Sequence, residues 1–90
     1  MTLEVVWSTA FARDYKRVQK QGASLRQLEA VIEALAEQQP VDPRHRDHPL
    51  KGNWRSYREC HIQPDWLLIY RVVGSELQLA RTGSHAELFG

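Results

Sequence analysis

A chain of 90 residues with 12 Lys and Arg against 11 Asp and Glu carries a formal charge of only +1, which excludes the strongly basic proteins that hold nucleic acid through net charge alone. This length supports one domain, residues 1–90, with a thin core between helices and a sheet. The single cysteine, Cys60, rules out an internal disulfide and points to a reducing, cytoplasmic compartment; no apolar run predicts a membrane span and no leader pattern opens the chain, so no membrane partner is expected.

Residues 3–7 are rich in β-formers and predict a first strand. Ser8 and Thr9 then offer N-cap oxygens for a helix whose apolar stripe is Phe11, Tyr15 and Val18. Arg13, Lys16, Arg17 and Lys20 fall on its remaining, wet surface. Gly22 predicts the end of that helix, because glycine enters the left-handed cap conformation at little cost. Ser24 opens a second helix with the stripe Leu25, Leu28, Val31, Ile32 and Leu35, stopped by Pro40 and Pro43. The short connection at 21–23 makes the two an antiparallel hairpin. Residues 41–53 read as a loop. Three strands follow at 54–62, 66–73 and 76–82, joined by tight turns at 63–65 and 74–75, so neighbours pair antiparallel. Leu67, Leu68 and Ile69 break two-residue alternation, which suits a central strand buried on both faces. Ser84 caps a last helical turn through Phe89. The predicted fold class is α+β, in the order β-α-α-β-β-β, with the helical hairpin packed on an antiparallel sheet and a short C-terminal helical turn.

The chemistry concentrates in the second half. Arg44, Arg46, Lys51, Arg55 and Arg58 form a local basic excess, opposed there only by Asp47 and, just beyond, Glu59. His48, His61, Asp65 and His85 can carry protons near neutral pH, and Arg81 supplies a cation. RNA brings its own nucleophile, the ribose 2′-OH, so an RNA-cleaving site needs only a base, an acid and a cation for the phosphorane. Arg81, two residues past Leu79, is expected on the same strand face. Surface or hydrogen-bonded structural histidines are the competing reading. Trp66 and Phe89 are candidates for stacking on unpaired bases, with core packing as the alternative, while Trp54 and Tyr70 read as core aromatics. A metal site is disfavoured: the histidine spacing is not compact and no cysteine pair accompanies it. No cofactor is expected.

The runs His48-Pro49-Leu50, Gly52-Asn53-Trp54-Arg55, Tyr57-Arg58-Glu59-Cys60-His61-Ile62, Pro64-Asp65-Trp66-Leu67-Leu68-Ile69-Tyr70 and Arg81-Thr82-Gly83-Ser84-His85, with Leu88 and Phe89, resemble the YafQ branch of the RelE/ParE-type bacterial toxins. The resemblance covers essentially the whole chain. It implies the RelE-like microbial RNase fold and a toxin of a type II toxin–antitoxin system: a ribosome-dependent, metal-independent endoribonuclease that cuts translated mRNA in the bacterial cytoplasm. Its implied partners are the ribosome, mRNA and a cognate antitoxin, in a hetero-oligomeric complex. Carried over position by position, the catalytic set is His48, His61, Asp65, Arg81 and His85, with His85 as proton donor and Asp65 or His61 taking the 2′-OH proton. Arg46, Lys51, Arg55, Trp66 and Phe89 are the expected RNA contacts, and His45, outside the matched runs, is expected to be dispensable. Two other readings compete. One is a ParE-like toxin that inhibits a topoisomerase and needs no histidine set. The other is a nucleic-acid-binding module using the helical hairpin, which Glu29, Glu33 and Glu37 on the second helix disfavour.

Overall fold

The structure, a computed structural model, describes residues 2–90. A five-stranded sheet has the order β1-β5-β4-β3-β2, and two helices, α1 (Thr9–Lys20) and α2 (Leu25–Ala36), pack against it. Ser8 caps α1 as its sequence suggests, its Oγ accepting the Phe11 N–H at 2.9 Å. Ser24 stands at the N-cap of α2 without a side-chain cap bond. The helical stripes bury Phe11, Val18, Leu28 and Val31 on the face of the sheet that carries Leu68, Tyr70, Leu77 and Leu79. Each side chain of this kind contributes about 1.5–3 kcal/mol when taken out of water.

The sheet is mostly antiparallel. β3 (Arg58–Gln63), β4 (Trp66–Val73) and β5 (Glu76–Gly83) form the predicted meander, and Leu67, Leu68 and Ile69 are fully buried in its central strand. The edges differ from expectation. β1 (Glu4–Trp7) pairs parallel with β5, Glu4 opposite Glu76. This pairing joins the first and last strands, so no turn residue could announce it. The loop expected over 41–53 contains a two-residue strand, β2 (His48–Pro49), set antiparallel against Glu59 and Arg58. The strand expected to begin at residue 54 begins only at Arg58, because Gly52, with φ of 66°, opens a 3₁₀ turn over Gly52–Trp54.

Within β5 a bulge decides which face the later side chains occupy. Leu79 lies opposite Tyr70, but Arg81 lies opposite Ile69, so Ala80 is the extra residue. Opposed residues share a face and successive ones alternate. Arg81 therefore faces away from the side occupied by Leu79, contrary to the two-residue spacing. Past Leu79, β5 has also outrun β1, whose pairing ends at Trp7. Side chains from the N-cap and along the length of α1 cover that edge instead. Ser8 Oγ donates to the Ala80 carbonyl at 2.9 Å, Asp14 accepts the Thr82 N–H at 3.1 Å, and Arg17 Nη2 donates to the Thr82 carbonyl at 2.8 Å. Backbone groups that would otherwise be left unpaired are thus satisfied. α3 (His85–Phe89) follows β5 directly, held by a capping box in which Ser84 and Glu87 exchange side-chain and backbone bonds.

Candidate active site

The register places four residues of distant sequence position in one transverse row. His48 lies opposite Glu59, Glu59 opposite Ile69, and Ile69 opposite Arg81. The neighbouring row runs from His61 through Leu67 to Gly83, after which Ser84 leads to His85. Leu67 and Ile69, both fully buried, make a dry floor on the sheet face opposite the helical hairpin, and the polar groups stand around it.

Three imidazoles form a chain. The ring centroids of His48 and His61 are 6.2 Å apart, and those of His61 and His85 are 6.0 Å apart. Glu59 holds the first two: its Oε2 lies 3.0 Å from His48 Nε2 and 3.5 Å from His61 Nε2. Glu59 is buried, and a buried carboxylate is tolerated when such partners surround it. Sequence reasoning missed Glu59, which reads there as one surface charge beside Arg58; only the strand register shows that it sits between two histidines. Asp65 is exposed and close to His85, accepting the His85 backbone N–H at 3.2 Å with Oδ1 3.6 Å from His85 Nδ1. The same ring meets Phe89 at a centroid distance of 5.9 Å, and Phe89 meets Trp54 at 6.5 Å edge-on.

Arg81 is anchored from behind. Its Nε and Nη2 donate to Asp14 at 2.6 and 3.2 Å, the edge-on pairing that suits a guanidinium and a carboxylate. Asp14 is buried and also receives Arg17 Nη1 at 2.6 Å and the Thr82 N–H. Arg17 reaches on to α3, its Nε lying 3.0 Å from Glu87 Oε2 as an ion pair without hydrogen-bond alignment. The wet surface expected for Arg17 is therefore a junction between α1, β5 and α3. Gly83 belongs to the same junction: a Cβ there would lie 2.5 Å from Arg17 Nη2 and 3.0 Å from Glu87 Oε1, so a larger residue would push the guanidinium out of its present position.

Burial alone would raise the Asp14 pKa, but hydrogen bonds from Arg81, Arg17 and the Thr82 N–H outweigh it and hold the carboxyl below its ordinary value. A carboxyl depressed in the folded state adds stability that is complete above its unfolded pKa, about 3.9, and is lost as pH falls through the lower folded value. Denaturant titrations should accordingly show the native protein losing stability below about pH 4, with the acid-side loss reduced in Asp14→Asn. An unchanged acid limb in that variant would refute the assignment.

The remaining sequence candidates divide. Trp66 is not available to stack on a base. It is buried, and its indole N–H donates to Thr82 Oγ1 at 2.9 Å; the alternation of β4 turns it to the helical side. Phe89 is 45% exposed and remains open. Trp54, expected in the core, instead packs beside Phe89 and Tyr57 at the margin of the site, while Tyr70 is a core residue as expected. Lys51 and Arg55 flank the 3₁₀ turn on this aromatic side and are exposed. Arg46 lies on the other flank, in a left-handed backbone conformation with φ of 47°, and lines a pocket together with His61. His45 is tied into the structure: its Nδ1 is 2.6 Å from the His61 carbonyl. Cys60, fully buried, has its thiol pushed up to about 12 by burial first and by neighbouring carboxylates second, which removes it as a nucleophile.

His48, Glu59 and His61 offer ligand atoms all within 4.8 Å of one another. Two imidazoles and a carboxylate are a donor set suited to a divalent first-row ion. Linear spacing did not reveal this cluster, because the sheet assembles it from two strands.

Residues 3–90 match the profile of a family described as a bacterial toxin of type II toxin–antitoxin system, YafQ. The mRNA interferase toxin YafQ of Escherichia coli K12 is 36% identical over 88 residues, covering 97% of this chain and 96% of that protein. The toxin in the E. coli DinJ–YafQ toxin–antitoxin complex superposes with a TM-score of 0.91 at 35% identity, over all of both chains. A metal-bound toxin from Helicobacter pylori gives a TM-score of 0.92 at 44% identity, covering 97% of this chain and 99% of that one.

Proposed function

Because this chain belongs to the YafQ family of type II toxin–antitoxin toxins, we propose that it is an endoribonuclease that cuts translated mRNA on the ribosome and is held silent by a cognate antitoxin. The observation that carries this reading is the chain of three imidazoles beside Arg81 over a dry floor. Centroid spacings of about 6 Å let neighbouring rings contact the same phosphate, each through a hydrogen bond of about 2.8 Å.

In the proposed reaction the ribose 2′-oxygen attacks the adjacent phosphorus and loses its proton to His61. The bond from phosphorus to the 5′ oxygen breaks, and His85 returns a proton to that leaving oxygen. Arg81 neutralises the phosphorane with the guanidinium edge not turned toward Asp14. Sequence alone left the base open between Asp65 and His61. Asp65 lies beside His85, at both its backbone N–H and its Nδ1, which supports an orienting role for Asp65. Glu59 Oε2 lies 3.5 Å from His61 Nε2, where its charge would offset the one the imidazole gains in the step. His48, held by the same Glu59, is the proposed cationic neighbour of the phosphate. Exposed Phe89 and the flanking Arg46, Lys51 and Arg55 are the proposed RNA contacts. With a net charge of +1 the protein has little general attraction for RNA, which supports the ribosome as the platform that presents the substrate.

No metal is required when the 2′-oxygen is the nucleophile. Purified protein added to mRNA-programmed ribosomes should leave 2′,3′-cyclic phosphate or 3′-phosphate ends, with far slower cleavage of the same RNA free in solution. Chelation should leave the rate unchanged when ribosome integrity is maintained. Ends bearing 3′-hydroxyls would instead indicate an activated water and a role for a cation at His48, Glu59 and His61. Equal rates with and without ribosomes would remove the ribosome from the reading.

A further inference from the structure

Beside the imidazole chain runs a groove of about 440 Å³ between α2 and the segment around Pro43–His45. A second hollow of about 350 Å³ joins it through shared walls at Arg44, His45 and Gln63 and adds Arg46 and His61. The second hollow thus reaches His61 of the proposed catalytic face, and the first reaches α2. We propose that this groove binds a nucleotide of single-stranded mRNA flanking the cleaved phosphate; the inference rests on the RNA-cleaving reading above and extends it to a substrate contact.

Its charge is one-sided. Arg26, Arg44 and Arg46 stand along it, and none of the three forms an ion pair among the described residues. Asp42 is the only carboxylate in its lining, and that group is engaged in capping the 3₁₀ turn through the Arg44 N–H at 2.9 Å. On α2 the groove is met by Arg26, Ala30 and Ala34, spaced four apart on one side of the helix. Glu29 is turned elsewhere, accepting from Tyr15 of α1, so the acidic stripe that argued against a phosphate surface does not line this one. Small alanines let a ligand approach the helix closely. Gln63 Nε2 donates to Gln27 Oε1 at 2.6 Å across the wall, and the pair keeps an amide oxygen and an amide N–H for the edge of a base. The volume lies within the range of about 300–1,000 Å³ seen for small-ligand sites, sufficient for one unpaired nucleotide. His45 separates the groove from the catalytic face and bonds the His61 carbonyl, so a nucleotide seated here would press on the strand segment that carries His61.

The test uses the full-length protein with mRNA-programmed ribosomes. Ala30→Phe fills the groove without changing charge, at an exposed position where folding is checked by thermal melting, and it should raise the half-saturating toxin concentration about fivefold or more. Arg26→Ala and Arg44→Ala should weaken binding and flatten its salt dependence by about 0.7 in slope for each lost phosphate contact. A photo-crosslinking benzophenone amino acid at position 30 should label an mRNA nucleotide within a few positions of the cut. Labelling of ribosomal RNA or of a protein such as the antitoxin, or no labelling at all, overturns the proposal. Unchanged saturation and salt slope in all three variants overturns it as well. The two readings separate cleanly: mRNA crosslinking without cleavage keeps the groove and sinks the nuclease, whereas cleavage without mRNA crosslinking does the reverse.

Discussion

His85→Gln is expected to lower single-turnover cleavage on programmed ribosomes by roughly 10²–10⁴-fold, the contribution of one positioned proton carrier. The side chain is 56% exposed, and α3 is held by Ser84 and Glu87 rather than by the imidazole, so the substitution should leave the melting temperature and ribosome affinity nearly unchanged. That pattern, a loss in rate without a loss in binding, is what a group acting mainly in the transition state produces. Asp65→Asn should reproduce a smaller part of the defect, because His85 would lose the carboxylate beside its Nδ1 while keeping its place on α3. Wild-type rates in His85→Gln would end the assignment of this residue as proton donor.

Arg81→Ala should cost on the order of 3 kcal/mol of transition-state stabilisation, about 10²-fold in rate, by analogy with removal of one preorganised oxyanion donor. Unlike His85, this residue also serves the fold. Its guanidinium is one of the partners of buried Asp14, so the variant should lose roughly 1.5–3 kcal/mol of stability, the usual cost of a lost charged hydrogen bond. Arg81→Lys should regain most of the stability and only part of the rate, since lysine keeps the charge and lacks the planar fork. Measuring cleavage well below the melting transition of each variant separates the two effects. Equal recovery of rate and stability in the lysine variant would mean that Arg81 acts through folding alone.

The elements that sequence reasoning placed well are those governed by local periodicity or turn chemistry. Phe11 and Val18, or Leu28 and Val31, announce a helix by spacing, and Leu67 to Ile69 announce a buried strand by composition. The site candidates His48, His61, Asp65, Arg81 and His85 were also visible, since histidine chemistry belongs to residue type and the family runs marked the positions. What remained hidden depends on register. Glu59 acquires meaning only opposite His48, and Arg81 changes face only because Ala80 is a bulge. Arg17 read as wet helix surface, and Asp14 carried no signal, until β5 was seen to outrun β1 and to need their side chains. Trp66 and Trp54 exchanged places for a similar reason. One lies within β4 and faces the helices, and the other precedes β3 in a turn that leaves it beside Phe89.

The pairing of the first strand with the last also bears on timing during synthesis. Chains fold from the N-terminal side as they emerge, and contacts between distant segments wait for the later partner. β1, α1 and α2 are made first, yet β1 has its only strand partner in β5, and the row that ends in Arg81 cannot be completed before β5 exists. His85 follows later still. A nascent chain that has extruded everything up to β4 therefore has an unpaired first strand, a carboxylate at Asp14 still lacking Arg81 and the Thr82 N–H, and no complete set of proton carriers. The row from His48 to Arg81 and the chain of imidazoles that ends at His85 are thus assembled only after the final elements appear.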